Sequence, residues 1–274
     1  MPDTAHKVVL ITGASSGIGK ACAEHLAARG YRVFGAQRHV PPAETAARGV
    51  EMLTMDVNDD QSVEQGVRAV VTQAGRLDAV VNNAGIALMG AVEDTAIAEA
   101  KAQLETNFFG VLRVCRAALP IMRRQGSGHI VNISSLAGVI GLPFTGLYSA
   151  SKFALEGMSE SLRLETRRFG VKVVLIEPGD FQSQLPLVRR TAAAAQTNDA
   201  YRDAFTKFKT QQAKDESSAP TPEPIALLVE RILRDPAPRL RYSVGMLGQR
   251  IVIPLKRLLP QRLFEWVLCR ALAL

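Results

Sequence analysis

The segment KVVLITGASSGIGKACAEHLAARG, Lys7 to Gly30, constrains the fold more than any other stretch of the chain. A β-branched run from Lys7 to Thr12 passes directly into the turn GASSGIG (Gly13, Ser15, Ser16, Gly17, Ile18 and Gly19 among its residues), and that turn opens straight into a helical pattern. A glycine turn by itself serves many loops for geometry alone. Strand, turn and helix in immediate succession are the context that gives it chemical meaning. Gly13 allows the tight turn, Gly17 lets backbone approach a pyrophosphate, and Gly19 lets the helix lie close to the strand. The phosphate then sits at the helix N-terminus.

Further strand patterns follow at Arg32–Gln37, Glu51–Met55, Leu77–Val81, His129–Ile133 and Val171–Ile176, each separated from the next by a helical stretch. That alternation predicts an α/β fold: a doubly wound parallel sheet with helices on both faces, binding ligands at the carboxyl ends of its strands. The residues at those ends are informative. The second strand closes on Gln37-Arg38 with no acid, where an acidic side chain suits the 2′-hydroxyl of NAD and an arginine suits the 2′-phosphate of NADP. The third ends in Asp56-Val57, followed by a helix from about Asp59 to Ala74 with Asp60 near its start, where negative charge complements the dipole. The fourth runs into Asn82-Asn83-Ala84-Gly85, which fits a cofactor-facing edge as well as an ordinary turn. The fifth ends in Ser134-Ser135 and the sixth in Pro178-Gly179. Asn107 lies among apolar residues in a long helical region. It is read either as a satisfied buried amide or as a residue that distorts the helix and orients a water.

Tyr148 and Lys152, in YSASK, stand four residues apart in a helical pattern and so share one face. A phenol of pKa about 10 is a poor acid or base at neutral pH, and a fixed cation beside it favours the phenolate. The pair is chance-prone alone and acquires meaning from the strand ends around it.

Together, TGASSGIG, NNAG, Asn107, IVNISSLAG, YSASK and the Pro178-Gly179 pair, in this order and spacing, resemble the short-chain dehydrogenase/reductase family from Lys7 to about Val244. The segment Gly141–Leu162 is most similar to its 17β-hydroxysteroid dehydrogenase type 1 and retinol dehydrogenase group. The resemblance implies a single Rossmann-fold domain over residues 1–245 with three layers, and a catalytic tetrad of Asn107, Ser135, Tyr148 and Lys152. Ser135 is preferred to Ser134 because it stands thirteen positions before Tyr148, the family's usual spacing. It further implies an NADP(H) cofactor held by the glycine turn, Arg38, Asp56, Val57, Asn83, Ala84, Gly85, Tyr148, Lys152, Pro178, Gly179 and Ser183. At Ser183 the family commonly has threonine, and serine keeps the hydroxyl. The implied reaction is hydride transfer to or from a small-molecule carbonyl or secondary alcohol. Ser135 bonds the substrate oxygen, Tyr148 moves its proton, Lys152 holds the ribose, and Asn107 binds a water. A hydroxysteroid or retinoid is the expected substrate. A small or xenobiotic carbonyl, or cofactor binding without chemistry, are the rivals. A homodimer or homotetramer is the expected assembly.

Residues 181–224 are polar, alanine-rich and proline-punctuated, and read equally as a substrate lid or an ordinary excursion. The extension 246–274 mixes apolar residues with Arg250, Lys256, Arg257, Arg262 and Arg270, interrupted by Pro254 and Pro260. Packing on the chain's own core or on a partner subunit is preferred there to peripheral contact with an anionic membrane. The net charge of +7 comes without basic blocks interleaved with aromatics, which argues against nucleic acid. Three scattered cysteines suit neither a disulfide framework nor a metal cluster, and with no basic-then-apolar leader the expected location is the cytoplasm.

Overall fold

Val8, Val9, Leu10, Ile11 and Thr12 form strand β1 (Val8–Thr12), and all five are buried. Such an unbroken apolar run belongs to a parallel strand covered on both faces. In the computed structural model, which describes residues 7–40, 46–47, 49–182 and 189–272, β1 lies at the centre of the sheet. It pairs in parallel with β2 (Arg32–Gln37) on one side, at Val8↔Arg32 through Thr12↔Ala36. On the other side it pairs with β5 (Ala79–Asn82), at Val9↔Ala79 through Ile11↔Val81. Beyond β2 lies β4 (Val50–Thr54), edged by the two-residue antiparallel β3 (Ala46–Ala47). Beyond β5 follow β7 (Gly128–Ile133), β8 (Val171–Pro178) and β10 (Arg241–Val244). The order β10-β8-β7-β5-β1-β2-β4 is parallel throughout, and the strand order reverses between β1 and β5. A crevice outside the strand ends forms at such a reversal.

The two faces of β1 divide the core. Val9 and Ile11 pack with Leu26 of α1 (Gly17–Ala28) and with Ile225, Val229 and Leu233 of α7 (Glu223–Arg234). Val8 and Leu10 face α2 (Asp60–Ala74), α4 (Gly110–Gln125) and α5 (Gly146–Thr166), through Val67, Val114, Met122 and Leu155. This is the expected three-layer single domain. The caps are local: Asp59 accepts from the Ser62 amide at 2.5 Å and starts α2, while Gly75, at φ 74°, ends it.

One pairing was not expected. Strand β6 (Ala87–Met89) pairs in parallel with β9 (Arg189–Thr191), which lies inside the stretch 181–224. That stretch also contains α6 (Arg202–Ser217), whose Phe205 and Phe208 pack on Met89 and Phe144. Phe144 is the one non-glycine residue with positive φ (56°) among the described residues. A short helix, α3 (Ile97–Leu104), leads into the turn that carries Asn107. After β10, the tail forms α8 (Leu247–Arg250), α9 (Val252–Leu258) and α10 (Gln261–Ala271). No helix among the described residues is long and apolar enough to cross a membrane.

Candidate active site

The carboxyl ends of β1 and β5 are stitched together before any ligand is considered. Thr12 Oγ1 accepts from the amides of Asn83 and Ala84, each at 3.0 Å. Asn83 Nδ2 donates to the carbonyls of Thr12 and Gly13, also at 3.0 Å. This seam fixes the turn. Gly13 and Gly17 take the left-handed φ values of 65° and 53° that favour glycine. Gly19 is required for space instead: a Cβ there would stand 2.3 Å from the Gly13 carbonyl oxygen and 2.4 Å from Asn83 Nδ2. Ser16, the N-cap of α1, makes no capping bond, and the first turn of the helix carries no acid. Unfilled amides, the Ser15 and Ser16 hydroxyls and the positive end of the dipole therefore face the cleft. That arrangement fits a pyrophosphate.

From this cradle a single open cleft runs along the strand ends, past Arg38, Asp56, Val57, Asn83, Ala84 and Gly85 to Ser135, Tyr148, Lys152, Pro178 and Gly179. Arg38 is exposed at the end of β2. The Asp56 carboxylate accepts the Asn58 amide at 2.9 Å, and its own amide donates to Ser62 Oγ at 3.0 Å, so its turn is locally fixed. Val57 packs where a Cβ on Gly110 would meet it at 3.0 Å. Gly179 donates its amide to the Val244 carbonyl at 2.8 Å. Of the sequence-predicted residues, Gly19 and Asn107 stand behind the cleft wall, and Ser183 lies outside the described residues.

Tyr148 and Lys152 project from one face of α5, with the ammonium 5.8 Å from the centre of the phenol ring. Lys152 Nζ donates to the Ile133 carbonyl at 2.8 Å. Burial lowers its pKa to about 8, against an opposing pull from Glu156 one turn further along. Burial also pushes the Tyr148 phenol up; the hydrogen bond from Ser135 and the charge of Arg189 act against it, and Asp180 adds to it. Ser135 and Arg189 thus join the nearby Lys152 ammonium in the surroundings of the Tyr148 phenol.

Ser135 N-caps the 3-10 turn Leu136–Gly138, accepting the Ala137 amide at 3.1 Å, and this holds its hydroxyl beside Tyr148. Ser134 is buried and turned towards Glu156 and Gly138. Asn107 sits in a π-helical turn, Glu105–Phe109, so the helix is distorted there. Its Oδ1 accepts the Ile86 amide at 2.9 Å, and its Nδ2 donates to the Ile86 carbonyl at 3.0 Å and to Ser151 Oγ at 3.1 Å. Ser151 in turn donates to the Tyr148 carbonyl at 2.7 Å. Both amide hydrogens of Asn107 are committed within the protein, to Ile86 just before β6 and to Ser151 of α5.

Sequence reasoning missed Asp180, Arg189 and Glu216. Asp180 follows Pro178-Gly179 directly, a position that could have been marked. Arg189 and Glu216 form an ion pair across the described part of the 181–224 stretch, and no local signal brings them to the cleft.

The model of the short chain dehydrogenase family matches residues 7–193. The chain belongs to the short-chain dehydrogenase family. Members of it act with nicotinamide cofactors on small-molecule alcohols and carbonyls, and this chain is an oxidoreductase of that kind. It is 39% identical over 262 residues, 96% of either chain, to the 3-ketodihydrosphingosine reductase of Bacteroides thetaiotaomicron. Against the estradiol 17-beta-dehydrogenase 1 of Rattus norvegicus it is 38% identical over 251 residues, 86% of this chain and 72% of that one, which bears out the narrower resemblance. A solved short-chain dehydrogenase from Streptomyces avermitilis superposes with a TM-score of 0.81 at 34% identity, covering 92% of this chain and 93% of that one.

Proposed function

We propose that the chain is an NADP(H)-dependent oxidoreductase that interconverts a carbonyl and a secondary alcohol on a lipophilic substrate. The observation that carries this is the meeting of Ser135, Tyr148 and Lys152 on the wall of a cleft whose far end is the glycine cradle. The nicotinamide, when bound, supplies or accepts the hydride. Ser135 holds the substrate oxygen and Tyr148 moves its proton. Lys152 holds the ribose beside them. Asn107, through Ser151, fixes the backbone at Tyr148. The described part of 181–224, with β9 and α6, forms the wall or lid on the substrate side.

Lysine in this role has to stay charged. Glu156→Gln removes the carboxylate that raises the Lys152 pKa against burial. The alkaline limb of kcat/KM therefore moves to lower pH than in the wild type, and a limb that stayed in place would remove Glu156 from this account.

Arg38 supports NADP(H) over NAD(H): it is exposed at the strand end that meets the adenosine ribose, on the cleft wall. Arg38→Glu is expected to shift the NADPH/NADH ratio of kcat/KM towards NADH by about 10- to 100-fold, the worth of one charge-assisted contact. A wild-type preference for NADH would refute the assignment.

Lipophilic substrate is supported by the names of the relatives and by Phe181 on the cleft wall. A long-chain 2-amino-3-ketone, the chemistry of 3-ketodihydrosphingosine, is the first substrate to test. Asp180 lies close enough to Tyr148 to act on its phenol, and a carboxylate there suits an ammonium beside the ketone. An NADPH-oxidation screen over that amino ketone, a ketosteroid, retinal and a short aldehyde decides the class, and equal turnover of the aldehyde would overturn it. Asp180→Asn is expected to raise KM about tenfold for the amino ketone while leaving the KM of a neutral ketone unchanged.

A further inference from the structure

A second cavity, of roughly 680 Å³, opens between the start of α7, the end of β10 and α8, and shares Phe181 with the cofactor cleft. Four arginines line it, Arg231, Arg239, Arg241 and Arg250, and no acid does among the described residues. Arg241 is neutralised by Glu156 at 2.8 Å and Glu160 at 2.5 Å. Arg231 and Arg239 instead stack over the single ring of Tyr242, at 5.7 and 4.9 Å. Neither they nor Arg250 has a carboxylate partner among the described residues. Three uncompensated guanidiniums around one cavity repel one another, and a phosphate group is the anion their planar forks fit best.

The tail beside this cavity supplies a second, independent observation. Arg250 stands between Leu247 and Ile251, both exposed. Further along, Leu258 is 79% exposed, and Leu263 and Trp266, three apart on α10, are also open to solvent. Among the described residues, five of the eleven exposed large apolar side chains thus fall within this short tail, whereas Phe264 alone of the tail is buried. Its charges are Arg250, Lys256, Arg257, Arg262 and Arg270 against Glu265 alone. Packing on the body explains Phe264 and the bond from Lys256 to the Val139 carbonyl at 2.6 Å, and leaves the rest of the pattern without a purpose. Exposed leucines and tryptophan interleaved with cations are the composition of a helix that lies in an anionic lipid interface.

We propose that the arginine cavity and the tail together dock on an anionic phospholipid surface. The cavity takes a lipid phosphate, and the exposed apolar residues of the tail enter the boundary between headgroups and acyl chains. The docked tail is tied to the rim of the cleft. The Asp180 amide donates to Gln249 Oε1 at 3.0 Å, and Gln249 Nε2 donates to Asp180 Oδ2 at 2.5 Å. A lipophilic substrate would thereby be met where it partitions. Only that last step rests on the proposed reaction, because docking can be read without turnover.

The test is co-sedimentation of the full chain with vesicles of phosphatidylcholine alone or with one-third phosphatidylglycerol, with emission from Trp266, the only tryptophan, as a second readout. Partition onto the phosphatidylglycerol vesicles, with a blue shift that high salt reverses, is expected. Arg231→Gln with Arg239→Gln should weaken it by about 25-fold, roughly fivefold for each cation near the surface, with turnover of a soluble substrate unchanged. Leu258→Gln should also weaken it. Absent partition, or equal partition onto both vesicles, would overturn the proposal. So would saturable binding of soluble glycerol phosphate without partition, which would mark a soluble phosphorylated ligand. Concentration-dependent dimers abolished by the arginine variants, again without partition, would assign the surface to a second copy of the chain.

Discussion

Tyr148→Phe is expected to lower kcat for carbonyl reduction by about a thousandfold, some 4 kcal/mol of transition-state stabilisation, while NADPH binds within about threefold of wild type. The split between the two readouts follows from where the hydroxyl stands. Ser135 holds it at the cleft wall, and Lys152, on the same helix face, bonds the Ile133 carbonyl without using the phenol oxygen. Removing the oxygen therefore takes away the proton donor and leaves the ring, the lysine and the glycine cradle in place. Stopped-flow turnover beside fluorescence titration of NADPH would check it. Turnover within a few-fold of wild type would move the proton-transfer role elsewhere in the cleft. Turnover absent in the wild type as well, across the whole substrate screen, with tight NADPH binding, would support the rival of a binding protein without chemistry.

How much of this was legible in the sequence depends on the distance over which each signal acts. The β1 run, its turn and α1 could be read because their meaning lies within neighbouring residues: β-branched side chains, then glycines where φ must be positive, then a helical period. Asp59 at the start of α2 and the shared face of Tyr148 and Lys152 are local in the same way. Strands β6 and β9 are three residues each and pair across about a hundred positions, too short for a period to emerge. Arg189 reaches Tyr148's surroundings only because β9 pairs with β6, so its influence on the phenol had no local trace. The distortion at Asn107 could be anticipated as one of two readings, whereas its partners, Ile86 and Ser151, come from two different elements and required the fold. Spacing showed that Lys152 could reach Tyr148. It could not show that the Ile133 carbonyl takes the ammonium.

Gly19→Ala is expected to weaken NADPH binding by at least about a hundredfold and to lower Tm by roughly 5–10 °C, the cost of overpacking a junction that cannot yield. The added methyl would stand 2.3 Å from the Gly13 carbonyl oxygen and 2.4 Å from Asn83 Nδ2. Neither neighbour is a free side-chain end. The Gly13 oxygen is backbone, and Asn83 Nδ2 is held by two carbonyls that tie β5 to β1. Relief therefore means pushing α1 off β1, which breaks the seam at the sheet reversal and tilts the helix N-terminus away from the phosphate. Gly17→Ala provides the contrast. There the obstacle is a φ of 53°, worth about 1–2 kcal/mol for an L-residue. Gly17→Ala should then weaken the cofactor by a smaller factor and shift Tm by only a few degrees. If the two variants behaved alike, the close approach of α1 to β1 would not be what positions the cradle, and the α1 amides could not be the phosphate site.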